Sequence, residues 1–218
     1  MKKLTVEIWS DIVCPWCYIG ERRFEKGLQQ FAHRDQVEVI WRSYQLDPTT
    51  PRESKEKTLD MLSNKYGISK AEAAMMEQRV ASQAQSEGLP MSSERYTANT
   101  FDAHRLLHYA ASKGKQEELL HALFAAHFAD NEIVDNIDTL VKIASEHGLD
   151  GAEVRQVLES DAYSAEVRAD LQRAASFGIT GVPFFVLNEE FGVSGGQPSE
   201  VFAHALQHAW EHSSSSAS

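Results

Sequence analysis

The sequence predicts an α/β protein whose two strand-bearing ends share one sheet, with a long all-helical block between them. Three observations lead to this. Residues 4–44 read strand, helix, strand. From about Glu53 to Phe177 strand patterning fades, and right after Pro183 it returns.

The elements follow in order. In Leu4–Ser10, LTVEIWS, Leu4, Val6 and Ile8 fall on one side and Thr5, Glu7 and Trp9 on the other, the period of a strand. From Pro15 to about Ala32, Trp16, Ile19, Phe24, Leu28 and Phe31 recur at helical spacing. Pro15 suits the first helical position because it has no N–H to leave unpaired. Val37–Tyr44, VEVIWRSY, reads as a second strand, so the chain opens with a βαβ unit, expected to be parallel and right-handed. Residues 51–177 are expected to form the helical insertion. Ser69 and Glu72 carry a capping-box signal ahead of AEAAMMEQRVASQAQSEG. TFDAHRLLHYAASKG, KQEELLHALFAAHFAD, NIDTLVKIASEHG and EVRADLQRAASFG follow as amphipathic helices, with Gly114, Gly148 and Gly178 where left-handed helix stops belong. Phe184–Leu187 and Phe191–Ser194 then read as strands around a turn at Asn188–Glu190, and Ser199–Glu211 reads as a closing helix. Neither end has enough strands to bury a sheet face alone. Residues 1–50 and 178–212 are therefore expected to make one discontinuous domain, with 213–218 a disordered low-complexity tail.

The net charge of −11 argues against nucleic acid or an anionic membrane as a partner. No apolar run is long enough to span a bilayer. The start, MKKLTVEIWSDIVCPW, alternates like a strand instead of carrying a signal-peptide core, so a cytoplasmic location is expected. Stable disulfides are disfavoured there.

The two cysteines, Cys14 and Cys17, sit in DIVCPWCYIG. Two thiols cannot make a four-thiolate zinc site. A bond between them would close so short a loop that it adds only about 2 kcal/mol, which a chain of this length does not need. A reactive dithiol and two incidental cysteines remain, and the spacing and position favour the dithiol. The predicted elements put CPWC at the N-terminus of the first helix, where partial positive charge and unpaired N–H groups favour the attacking thiolate. The i, i+3 spacing sets both sulfurs on one helix face, close enough to bond. Cys14, at the tip, can be exposed and is the expected nucleophile. Cys17, a turn further in, is the expected resolving thiol.

SDIVCPWCYIG at 10–20, RSYQLDP at 42–48, NTFDAHRLLHYA at 99–110, TGVPFFVLN at 180–188 and SGGQP at 194–198 run in order along nearly the whole chain. On these stretches the sequence resembles the DsbA-like branch of the thioredoxin-fold superfamily, and within it the FrnE-like subfamily of cytoplasmic dithiol oxidoreductases. The resemblance implies a thioredoxin-like fold, β-α-β … β-β-α, with the helical block inserted. It implies that Pro183 is a cis-proline facing the dithiol, with the Val182 backbone open to an extended substrate. It places Pro15, Trp16, Val182 and His104 around the substrate, with a helix-packing role as an equal reading for His104. It also implies a homodimer, and partners that are disulfide-containing proteins or small thiols. Where the strongly oxidising DsbA type carries a histidine between its thiols, this chain has Trp16, which offers no charge, so a potential below the roughly −120 mV of DsbA is expected. A second reading comes from a neighbouring branch, the kappa-class glutathione transferases and the 2-hydroxychromene-2-carboxylate isomerases. These bind glutathione and typically carry serine at the first dithiol position, whereas Cys14 is present here. No resident cofactor is expected; glutathione would enter as a co-substrate.

Other residues carry weaker signals. His104 and His108 lie four apart on one helix, but no third ligand stands near them in sequence, and no metal site is expected. His204, His208 and His212 read as a solvated stripe, and Met61, Met75 and Met76 as core filler. Ser10 and Asp11 are placed to perturb the thiols, although a strand-end turn needs such residues anyway.

Overall fold

The computed structural model describes residues 2–212; the predicted tail at 213–218 lies outside them. Its described strands are β1 (Leu4–Ser10), β2 (Val37–Ser43), β3 (Phe184–Leu187) and β4 (Phe191–Ser194), in the sheet order β2-β1-β3-β4. β1 pairs with β2 in parallel, from Leu4 with Val37 to Ser10 with Ser43. β3 runs antiparallel to β1, with Ile8 opposite Phe185, and β4 antiparallel to β3. The two ends of the chain thus meet in one mixed sheet, as the strand counts required.

The helices are α1 (Pro15–Gln30), α2 (Thr58–Tyr66), α3 (Lys70–Ser86), α4 (Phe101–Ser112), α5 (Gln116–Phe128), α6 (Ile137–Glu146), α7 (Gly151–Leu158), α8 (Ser164–Ser176) and α9 (Ser199–His212). Ser69 and Glu72 close the expected capping box at α3. Gly114, Gly148 and Gly178 sit at φ of 70°, 76° and 68°, where a side chain would be strained. Two helices escaped the periodicity. Helix α2 buries no residue and its N-cap, Lys57, makes no side-chain cap bond; α7 is only eight residues long. Among the described residues no helix is long and apolar enough to cross a membrane.

Both faces of β1 are covered, which is why its polar-looking side is also buried. Leu4, Val6 and Ile8 join Phe24 of α1 and Phe202 and Leu206 of α9 in the main core. Trp9 packs on the other face with Val186 of β3, Ala174 of α8 and Ile179, and its indole N–H donates to the Asp170 carbonyl at 3.0 Å. Glu7, 3% exposed, meets Arg42 of β2 at 2.8 Å and Arg173 of α8 at 2.5 Å. Burial works against the Glu7 charge, yet Arg173 and Arg42 together hold its carboxyl below the usual range. Helix α8 is thereby fixed to the sheet by the Trp9 indole and the Glu7 carboxylate, and its own Asp170 accepts from Arg42 at 3.0 Å and from the Ser43 N–H at 2.9 Å.

Candidate active site

The chain leaves β1 at Ser10, turns through Asp11–Val13 and enters α1 with Cys14 as N-cap residue and Pro15 as first helical residue. The Cys14 carbonyl accepts from the N–H groups of Cys17 and Tyr18 at 3.0 and 3.2 Å, which starts the helix. Both thiols are free. The Cys14 thiol donates to the Val182 carbonyl at 3.6 Å, and the Asp11 N–H donates to Cys17 Sγ at 3.5 Å. Burial, then the hydrogen bond and charge of Cys14, push the Cys17 thiol well up from its ordinary value. Cys17 is therefore a buried thiol kept protonated first by its burial and then by Cys14.

Opposite α1, the Val182–Pro183 peptide bond is cis. Gly20 of α1 abuts this segment: a Cβ added there would stand 3.0 Å from Pro183 Cγ and 3.1 Å from the Cα of Gly196. The absent side chain lets the helix, Pro183 and the SGGQP loop close on one another. Gly20→Ala is expected to cost up to about 2 kcal/mol in urea unfolding, overpacking of about 1–3 kcal/mol offset by about 1 kcal/mol of helix propensity, and to slow exchange at Cys14 by displacing Pro183. If stability and rate both stay at wild-type values, α1 does not hold Pro183 in place.

A cavity of about 340 Å³ opens at Cys14, lined by Trp16, Leu46 and Val182 and by Met61, Tyr66 and Met76 of the α2–α3 hairpin. Arg95 and His127, each 2% exposed, also line it. The Arg95 guanidinium pairs with Glu77 and lies 4.9 Å from the Phe128 ring centre. Burial, then the charge of Arg95, push the His127 imidazole down to about 3. The cleft is thus mostly apolar, with a neutral ring and a neutralised cation in its wall.

The sequence profile of the DSBA-like thioredoxin domain matches residues 5–207. The chain belongs to this family. The probable DsbA oxidoreductase of Streptomyces coelicolor is 49% identical, with 97% of this chain and 92% of that one superposed at a TM-score of 0.94. The YwbO protein of Bacillus subtilis is 28% identical over 207 residues, covering 92% of this chain and 94% of its own. The cytosolic disulfide reductase DsbM of Pseudomonas aeruginosa, solved with GSH, shares the fold at 16% identity and a TM-score of 0.62, over 94% of this chain and 98% of that one.

Within this DSBA-like fold several expectations need correcting. Cys14 is only 4% exposed, because the Val182 segment closes over the helix tip; it is reached through the cleft. His104 does not line the groove. It is 2% exposed, and its Nε2 stands 3.3 Å from Asp11 Oδ1, behind the dithiol turn. Asp11 is 1% exposed and its other oxygen accepts from the Leu46 N–H at 2.8 Å, so this carboxylate ties the turn before Cys14 to RSYQLDP. His108 points elsewhere, to Asp170 at 3.0 Å, so the two histidines share no site. Met61 and Met76 are cleft wall, not core, and Met75 is exposed. Trp16 is 40% exposed at the rim, whereas Pro183 is buried. Arg95 and His127 were missed because only the tertiary fold brings them to CPWC.

His127 carries a pH prediction. An unfolded histidine takes up its proton near about 6.5, whereas the folded ring waits until about 3. Between these values the unfolded chain holds more protons, so stability falls as the pH is lowered, by at most about 1.4 kcal/mol per unit. The contribution is fully present above about 6.5 and lost on the way to the folded value. Urea unfolding at about pH 7.5 and 5 should show a smaller drop for His127→Gln than for wild type; equal drops would mean that His127 is solvated.

Proposed function

We propose that the protein is a dithiol–disulfide oxidoreductase of reductase or isomerase type, from the cytoplasmic FrnE-like branch of its family. The observation that carries this reading is the pair of free thiols at the N-terminus of α1, with Cys14 against the Val182 carbonyl and Cys17 buried behind it. The Cys14 thiolate attacks one sulfur of a substrate disulfide; that S–S bond breaks, the departing sulfur takes up a proton, and a mixed disulfide forms. This step consumes the charge and hydrogen bond of Cys14, two of the causes that hold the Cys17 proton in place. Cys17 then loses its proton and attacks Cys14 Sγ. The second substrate thiol leaves, and Cys14 and Cys17 end as a disulfide. Two electrons have passed to the substrate. Val182 offers backbone groups to an extended substrate at the attack point, while Pro15 and Trp16 border it.

Substrates on this reading are disulfide-containing protein segments and small thiols. Glutathione stays in view as co-substrate because the cleft beside Cys14 has the volume of a small-ligand site. A redox titration in glutathione buffers, followed by thiol alkylation, tests the proposal. One two-electron transition is expected, with a midpoint clearly below about −120 mV; a value near about −250 mV or lower marks a reductase, and one above roughly −200 mV favours isomerase work. A midpoint at the DsbA value, or no transition, rejects the reading.

A further inference from the structure

We propose that Glu21, Glu25 and His121 form a divalent-cation site of zinc type on the seam between α1 and α5. Glu21 and Glu25 lie one turn apart on α1, so their carboxylates share a face. His121 reaches that face from α5. Its Nε2 stands 2.6 Å from Glu21 Oε1 and 3.4 Å from Glu25 Oε1. One ligand atom from each of the three residues lies within 4.8 Å of the others.

The second observation is the state of Glu21. It is 4% exposed, and its Oε1 is buried against the His121 ring at 2.6 Å. At that distance the two atoms must share a proton or a cation between them. A buried carboxylate is costly unless its charge is paired. A cation placed between the three side chains would satisfy it, taking the Nε2 lone pair along its own axis.

The geometry and donor set favour zinc. A tetrahedral ion with bonds of about 2.0–2.2 Å sets its ligands about 3.4 Å apart. The His121–Glu25 separation already matches, and Glu21 must move back from the ring by less than a bond length. One imidazole and two carboxylates suit Zn²⁺ and leave a position for water. His121 and Glu25 are partly exposed, so an ion has a way in. Arg22 pairs with the other Glu25 oxygen at 3.2 Å, leaving Oε1 available, while Glu117 adds negative charge nearby. A bound ion would pin α1, one turn beyond Cys17, to the helical insertion.

The test removes competing ligands first. A chain carrying Cys14→Ser and Cys17→Ser is titrated with zinc chloride by calorimetry, so that the dithiol cannot bind. One zinc per chain is expected, bound about tenfold or more weakly after His121→Ala or Glu21→Gln. Replacing His208 in the α9 histidine stripe with alanine should change the affinity by less than about twofold. Zinc should raise the melting temperature of the parent and not that of the His121→Ala variant. No uptake by the parent, equal uptake after His121→Ala, or loss of uptake on His208→Ala would each overturn the proposal.

Discussion

Replacing Cys17 with serine should turn the protein into a trap. Cys14 still attacks a substrate disulfide, but nothing resolves the intermediate, so mixed disulfides accumulate and survive gel electrophoresis without reductant. Replacing Cys14 with serine should instead drop disulfide reduction to the uncatalysed background and trap nothing. The asymmetry follows from placement. Cys14 faces the cleft and the Val182 carbonyl, while Cys17 is 1% exposed, bonded to the Asp11 N–H, and held as a thiol by burial and by Cys14 itself. A bulky disulfide cannot reach Cys17, so the roles cannot exchange. In the wild type, iodoacetamide at neutral pH should label Cys14 and leave Cys17 largely unmodified, read by peptide mass spectrometry. Should the Cys14→Ser variant keep its rate, bound glutathione and not the dithiol would do the chemistry. Should the Cys17→Ser variant trap nothing, the groove would be a docking site with an idle dithiol.

The parts legible in the sequence share a physical cause: each carried its signal within a short window. β1, β3 and β4 alternate or run apolar between punctuating residues, and Pro15, Ser69 and the stop glycines mark helix ends by backbone chemistry that a single residue decides. Helix α2 gave no such signal because it packs no buried stripe; its side chains border the cleft and the solvent. The cleft wall was hidden for a related reason. Met76, Arg95 and His127 belong to three separate segments, and only the folded insertion brings them into one cleft with Cys14. The Glu21–His121 contact is likewise a product of packing between distant helices. His104 shows the converse case, where the structure decides between the groove and the packing reading in favour of packing. Its motif was recognisable, but a motif does not say whether its residues face a substrate or a neighbouring helix.

That motif supports the second large effect, on stability. Arg105 of α4 is 3% exposed and spends its guanidinium on the end of α7. It donates to the carbonyls of Val157, Leu158, Ser160 and Ala162, the Val157 bond at 2.5 Å and the Ala162 bond at 2.8 Å, and to Asp102 at 2.8 Å. Val157 and Leu158 close α7, whose last carbonyls have no partner within the helix. One planar cation thus caps a helix, orders the turn into α8 and balances a carboxylate that is 3% exposed. Arg105→Ala strips those carbonyls together and leaves Asp102 with only the outer cation, Arg52. The expected loss is about 3–5 kcal/mol in urea unfolding, the range for removing one partner of a buried pair. Melting should fall by roughly 10 °C at this chain length. Arg105→Lys should recover less than half, because an ammonium cannot fork to several acceptors. Asn99 in the same motif works similarly, accepting from the Phe101 N–H at 3.1 Å and donating to the Thr50 carbonyl at 2.8 Å. A loss below about 1 kcal/mol for Arg105→Ala would mean that water replaces the guanidinium at no great cost. The redox midpoint of the folded variant separates the two roles assigned to this segment. If the motif only joins helices, the midpoint stays at the wild-type value while stability drops. A moved midpoint would mean that the seam reaches the dithiol through His104 and Asp11, since α4 carries both Arg105 and His104.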